Sequence, residues 1–253
     1  VPQPIGLPTF LSGPLPDRAA ILADLDGCLI AGERVLPGVP ELFVRCRDRL
    51  WIVSNNSSDT AQTLSRRLAG LGLELPAERI VLAGEQTLRM IRRRHPGARV
   101  ALFAAAPIRA LAREIGLVED REHPELVFLG RDPDFDFSDL TALFAHVARR
   151  VPVWLSNPDP FHPGPDGLPR PETGAIWAAV RAALPDAVAA SLGKPAADLA
   201  AIALAKAGVA PEQAVFIGDT PETDGGAAAA AGVDFVLLER PARARAEEEI
   251  AAC

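Results

Sequence analysis

Short apolar runs alternate with amphipathic stretches along nearly the whole chain, and this alternation restricts the fold more than any other feature. A strand period followed by a helix period, repeated many times, builds a parallel sheet with helices on both faces. The fold class is therefore α/β, a doubly wound, Rossmann-like parallel sheet. Strands are expected over residues 20–23, 50–53, 99–103, 126–129, 151–155, 189–192, 214–217 and 235–238. Helices are expected near 40–49, 85–94, 108–115, 139–149, 173–183, 196–207 and 223–231, with another ending at Leu68 and capped by Ser58 or Asp59.

Residues 156–171, SNPDPFHPGPDGLPRP, hold six prolines and two glycines, which predicts a long loop without regular structure and a candidate for substrate contact. The run Ala-Arg-Ala-Arg-Ala-Glu-Glu-Glu near the end reads as a solvated helix face.

Composition removes several function classes. Lys and Arg number 26 against 33 Asp and Glu, a net charge of -7 that argues against a general nucleic-acid binder. No apolar run reaches the roughly 18 residues of a membrane-spanning helix, and the first sixteen residues lack a signal-peptide pattern. Cys28, Cys46 and Cys253 form no CxxC pair, so neither a disulfide framework nor a zinc site is suggested. A cytoplasmic protein with no membrane and no nucleic-acid partner is the expectation. No GxGxxG follows the first strand and no GxxxxGK[ST] occurs, which excludes a dinucleotide-binding dehydrogenase and a P-loop enzyme.

In a parallel sheet, polar side chains at the carboxyl ends of strands converge in one crevice. Four such ends are polar here: Asp24 and Asp26, then Ser54 and Asn55, then Lys194, then Asp219 and Asp224. Lys194 stands out because Lys206 is the only other lysine in a chain whose cations are otherwise arginines. Up to four carboxylates in one crevice resist simultaneous ionisation and call for a cation, most simply Mg²⁺, whose preferred ligands are oxygens. The calcium loop of an EF-hand does not fit, because residues 24–35 lack its alternating ligands and closing Glu. Ser54, Asn55 and Lys194 suit the charge stabilisation that phosphoryl transfer depends on. Asp24 can attack phosphorus, and Asp26 can serve as acid and then base if its pKa is raised.

Taken in order, Asp24-Leu25-Asp26-Gly27, Ser54-Asn55-Asn56-Ser57-Ser58, Gly193-Lys194-Pro195 and Gly218-Asp219-(x4)-Asp224 resemble the four motifs of the haloacid dehalogenase superfamily of phosphatases. The resemblance runs from about residue 20 to about residue 238. The material between the second and third motifs is similar to the large α/β cap of the class IIA branch, and so is Asn157-Pro158-Asp159. The resemblance implies a core of residues 1–83 and 190–253 with an inserted cap at 84–189. It implies an Mg²⁺-dependent phosphatase of small phosphate monoesters, working through an aspartyl phosphate. Pyridoxal phosphate, phosphoglycolate, glycerol phosphate and sugar phosphates are all open as substrates.

By motif, Asp24 is then nucleophile and metal ligand, and Asp26 acid/base with its backbone carbonyl on the metal. Ser54 and Asn55 bind phosphate, Lys194 is the stabilising cation, Asp219 is a metal ligand and Asp224 supports the metal site. The second Asp of the first motif favours phosphate ester hydrolysis over dehalogenation. Asp159 to Pro163 is similar to pyridoxal phosphatase members, which makes His162 a candidate substrate contact, with Phe161 and Arg170 beside it. Cap-mediated dimers are common in that branch, so a homodimer through the cap is an expectation. The alternatives are a phosphotransferase or mutase, disfavoured because only about thirty residues separate Asp24 from Ser54, and a catalytically silent ligand-binding member. Cys28 and Gly225 depart from the residues usual at their positions, and Cys28 reads as a small buried hydrophobe.

Overall fold

The computed structural model of the protein describes residues 3–164 and 168–239. The chain runs α1 (Leu7–Ser12), β1 (Ala20–Ala23), β2 (Ile30–Ala31), β3 (Arg34–Val35), α2 (Val39–Cys46), β4 (Leu50–Ser54), α3 (Ala61–Gly70), β5 (Ile80–Leu82) and α4 (Ala83–Arg94). It continues through β6 (Arg99–Phe103), α5 (Ala106–Glu114), β7 (Val118–Glu119), β8 (Leu126–Leu129), α6 (Phe137–Ala148), β9 (Val153–Leu155), β10 (Phe161–Pro163) and β11 (Pro169–Pro171). Then follow α7 (Thr173–Ala183), β12 (Ala189–Ser191), α8 (Asp198–Ala207), β13 (Ala214–Gly218), α9 (Gly226–Ala231) and β14 (Asp234–Leu237).

Among the described residues, two five-stranded parallel sheets form, in the orders β14-β13-β1-β4-β5 and β12-β9-β8-β6-β7. Strands β1, β4 and β13 are buried along their whole length, as parallel strands covered on both faces must be. Alternate residues divide between the faces. Ile21, Leu50, Ile52 and Val215 meet α2 and α3 through Leu42, Leu64 and Leu68. Leu22, Trp51 and Phe216 meet α8 through Leu199, Ala203 and Leu204. The second sheet is covered the same way, by α4 and α5 on one side and by α6 and α7 on the other. Neighbouring β1 are β13 on one side and β4 on the other, so the chain order reverses there and opens a crevice at the strands' carboxyl ends.

Several local expectations change. Thr60, not Ser58 or Asp59, caps α3, because Thr60 and Thr63 satisfy each other's backbone N–H groups in a reciprocal box. Within the proline-rich stretch, β10 and β11 pair antiparallel, with His162 opposite Arg170. An isolated two-stranded ribbon tolerates prolines whose missing N–H groups no ladder needs. The strand before Lys194 is an edge of the second sheet, paired with β9, and not a strand of the first. The short strand β5 went unread because three apolar residues carry no period. Cys253 and the Ala-Arg-rich run lie outside the described residues. No helix among the described residues is long and apolar enough to cross a membrane.

Candidate active site

The crevice collects the polar strand ends. Asp24 follows β1, with its N–H donating to Ile217 O at 3.0 Å. Gly27, at φ 80°, turns the chain so that its N–H meets Ile30 O. Asp219 follows β13, and a tight turn over Pro221–Gly225 returns Asp224 to the strand end. The Asp224 carboxylate packs onto the Gly218 backbone, where an added Cβ would lie 2.3 Å from Asp224 Oδ2; only glycine leaves that space.

Lys194 links the acidic groups. Its Nζ donates to Asp24 Oδ1 and to Asp224 Oδ1, each at 2.6 Å, with all three side chains buried. Burial opposes the ammonium charge, but Asp224 and Asp24 outweigh it and hold the lysine pKa above its ordinary value. Asp224 Oδ2 accepts the N–H groups of Asp219 and Thr220 at 3.1 Å each. Burial and then the Asp24 charge nevertheless push the Asp224 carboxyl up, against the pull of Lys194. Asp26 is pushed up to about 6, mainly by burial and next by Asp24, while Arg67 and His162 draw it down.

Carboxylate oxygens of Asp24, Asp219 and Asp224 lie within 4.8 Å of one another. Three hard oxygens at that spacing are a donor set suited to a small divalent cation. The Asp26 carboxylate is not in this group.

Ser54 ends β4, and its Oγ accepts the Asn56 N–H at 3.1 Å, which leaves the hydroxyl proton free to donate. Asn55 turns its side-chain amide toward the backbone of Lys194. Its Oδ1 accepts Lys194 N–H at 2.7 Å, and its Nδ2 donates to Lys194 O at 3.1 Å and to Asp159 Oδ2 at 2.8 Å. The side-chain amide therefore holds the Lys194 backbone rather than facing a ligand. Asn157, on the loop after β9, donates to Asn55 O at 2.8 Å and accepts from Asp159 N–H and the Thr173 hydroxyl. Sequence reading noted Asn157-Pro158-Asp159 but gave it no part; a polar triplet following a strand end was the available signal.

His162 on β10 places Nδ1 2.8 Å from Glu172 Oε1. Phe161 and Arg170 beside it are exposed. Arg131, after β8, reaches back to the loop carrying Ser54: its N–H donates to Ser57 Oγ at 3.0 Å. Neither Arg131 nor Glu172 was singled out from sequence, since lone charged residues near a helix or strand end carry no pattern. Cys28 is buried as a small hydrophobe, while His95 and His123 are exposed and His146 is packed inside.

Comparison with known proteins agrees with this geometry. A family model described as haloacid dehalogenase-like hydrolase matches residues 21–118, and a HAD-hydrolase-like model matches 191–252. Chronophin from Rattus norvegicus is 34% identical over 221 residues, covering 81% of this chain and 71% of that protein. The 4-nitrophenylphosphatase structure from Thermotoga maritima superposes with a TM-score of 0.82 at 26% identity, over 89% of this chain and 87% of that one. The glycerol phosphate phosphatase of Mycobacterium tuberculosis, solved in complex with magnesium, gives 0.80 at 26% identity, over 88% of this chain and 69% of that one. The chain belongs to the haloacid dehalogenase-like hydrolases, as a phosphatase of the capped class IIA branch.

Two outcomes follow from the local geometry. Asp159→Ala removes one acceptor from Asn55 and is expected to lower kcat several-fold by loosening Lys194, whereas Asp159→Asn retains an acceptor oxygen and recovers most of it. Steady-state kinetics of both variants check this; equal losses would contradict it. For Asp26, a folded-state pKa of about 6 against an ordinary carboxylate value near 3.8 means its stabilising contribution is present below the ordinary value and lost as pH rises to about 6. In metal-free protein the thermal midpoint of Asp26→Asn should therefore gain on wild type from about pH 4 upward and level off near about pH 7.

Proposed function

We propose that the protein hydrolyses small phosphate monoesters with Mg²⁺ through a phosphoryl group carried on Asp24. The observation that supports this reading most is the buried lysine bridging two carboxylates that converge with a third at the carboxyl end of a parallel sheet. In this reading the first sheet is the catalytic core, and the inserted second sheet, close to residues 84–189, is the cap.

Asp24, Asp219 and Asp224 would hold the cation, with the Asp26 backbone carbonyl as a further oxygen. When bound, the cation supplies positive charge that offsets the crowded carboxylates and the phosphate oxygens. Asp24 attacks phosphorus while the bond to the leaving oxygen breaks. Asp26, kept protonated toward neutrality by burial, gives its proton to that oxygen. Asp26 then takes a proton from water as the water oxygen bonds phosphorus and the Asp24–phosphorus bond breaks, releasing inorganic phosphate. Lys194 holds Asp24 in place by a 2.6 Å hydrogen bond and keeps positive charge beside it. Ser54 offers its hydroxyl proton to a phosphate oxygen, and Asn55 contributes by fixing Lys194.

A homodimer through the second sheet belongs to the same reading, supported by its edges at β7 and β12, which pair with no further strand among the described residues, and by the exposed Val188 beside β12. A reducing, cytoplasmic setting fits the buried free thiols of Cys28 and Cys46.

Hydrolysis of p-nitrophenyl phosphate should require Mg²⁺, stop with EDTA, fall to background in Asp24→Asn and drop about a hundred- to ten-thousand-fold in Asp26→Asn. Turnover persisting in Asp24→Asn would overturn the assigned nucleophile. Independently of activity, Mg²⁺ at about a hundred times its Kd should stabilise the protein by about 2.7 kcal/mol. Thermal denaturation reads this shift, which Asp219→Asn should reduce.

A further inference from the structure

We propose that Thr173 is a positioning residue for Lys194: its hydroxyl closes the neck of the β10–β11 ribbon onto Asn157, and through Asn157 and Asn55 it fixes the segment from which the lysine reaches Asp24. This rests on the phosphatase reading above and adds to it a residue that acts only through others.

Thr173 is the first residue of α7, and threonines are mostly exposed residues whose hydroxyls can turn to water. Here it is wholly buried, and so is Asn157. Its one hydroxyl proton has two acceptors on Asn157, the carbonyl oxygen at 2.6 Å and Oδ1 at 3.1 Å. The two residues meet because they flank the ribbon, Asn157 before β10 and Thr173 after β11. Backbone bonds close the same neck, from Glu172 N–H to Pro160 O at 3.0 Å and from Gly174 N–H to Asp159 O at 2.8 Å. Gly174 permits the approach, since an added Cβ would lie 2.1 Å from Pro158 O. Asn157 carries the connection onward. Its Nδ2 donates to Asn55 O at 2.8 Å, and Asn55 holds Lys194 at N–H and carbonyl, at 2.7 and 3.1 Å. Gly193 also sits directly on Asn157, where an added Cβ would lie 2.8 Å from Asn157 Cα. The residue before Lys194 is thus seated on the residue that Thr173 holds.

Taking away the hydroxyl while keeping the side chain's shape leaves two buried acceptors of Asn157 short of a donor, which is costlier than the bond itself is worth. The Asn157 segment can relieve that cost only by shifting, and Asn55 and Gly193 both rest on it. Lys194 Nζ meets Asp24 Oδ1 at 2.6 Å, a contact with little slack. A displacement of a fraction of an ångström at the lysine backbone therefore reaches the nucleophile, and misplacement of a reacting group lowers turnover steeply. Thr173 also anchors the ribbon that carries His162, so a second route from the hydroxyl to the crevice exists. The two routes differ in what they disturb: the first moves the Lys194 backbone, the second acts only where His162 acts.

The test uses the full chain and two readouts. Backbone amide exchange of the metal-free protein, followed by NMR, is read at Lys194, whose N–H bonds Asn55, and at Leu22 in β1, which reports opening of the core. Thr173→Val should speed exchange at Lys194 about tenfold and leave Leu22 within about twofold of wild type, the mark of a local opening. Thr173→Ser, which keeps the hydroxyl, should match wild type at both. With Mg²⁺ and p-nitrophenyl phosphate, Thr173→Val should lower kcat about tenfold with KM changed less than about twofold, and Thr173→Ser should recover most of the loss. The same fold-loss is expected when His162 is already Ala, because effects that travel by separate routes add. Should Thr173→Val not fold, Thr173→Ala carries the same expectations. Exchange at Lys194 that is unmoved, or that rises only in step with Leu22, overturns the positioning role and leaves the phosphatase reading intact; so does a kcat loss that vanishes in the His162→Ala background. Wild type that hydrolyses no phosphate ester overturns the phosphatase reading, and the positioning role with it, whatever the exchange at Lys194 shows.

Discussion

The ammonium of Lys194, buried and shared between Asp24 and Asp224 at 2.6 Å each, is the interaction on which the rest of the structure depends. Two carboxylates at the tips of adjacent parallel strands repel each other, and the cation between them is what permits both in one water-poor crevice. A buried ion pair of this kind is weak support for stability on its own, since desolvating three charges is costly. Its retention is explained by what it positions. Asp24 is fixed by its carboxylate as well as by its backbone, and Asp224 is fixed by Lys194, by two backbone N–H groups and by the absence of a side chain at Gly218.

The second sheet takes part in this arrangement directly. Lys194 stands on the segment that returns from β12 to α8, so its placement depends on where that segment is held. Asn55, from the first sheet, grips the Lys194 backbone at N–H and carbonyl, while Asp159 and Asn157, from the loop after β9, grip Asn55. The position of the inserted sheet is thereby tied to the position of Lys194 through three side chains, those of Asn55, Asp159 and Asn157. Arg131 forms a second tie, from the loop after β8 to Ser57.

Much of this is legible in the sequence, for identifiable reasons. Strands β1, β4 and β13 are read from short apolar runs ending in polar residues, and those ends are where Asp24, Ser54 and Asp219 appear in space. Helix α7 falls at Thr173–Ala183, where its periodicity places it. What the sequence hides is pairing. A strand of three small residues before Lys194 carries no mark of which sheet it joins, and it joins the second. That the Asn55 side-chain amide grips a backbone 139 residues away has no mark in the sequence either. Glu172 and Arg131 become visible only when distant loops are brought together, because a single charge has no period to betray it. The prolines of residues 156–171 suggest irregular chain, but a two-stranded ribbon makes few demands on backbone donors and accommodates them.

The account stands on Asp24 accepting the phosphoryl group. The most direct measurement is a borohydride quench of the enzyme during steady turnover of p-nitrophenyl phosphate with Mg²⁺, followed by peptide mass spectrometry, since hydride reduces an acyl phosphate to an alcohol. The account predicts homoserine in place of aspartate at position 24, and no such conversion at Asp26, Asp219 or Asp224. An unaltered Asp24 during full turnover, or conversion at another carboxylate, would contradict it.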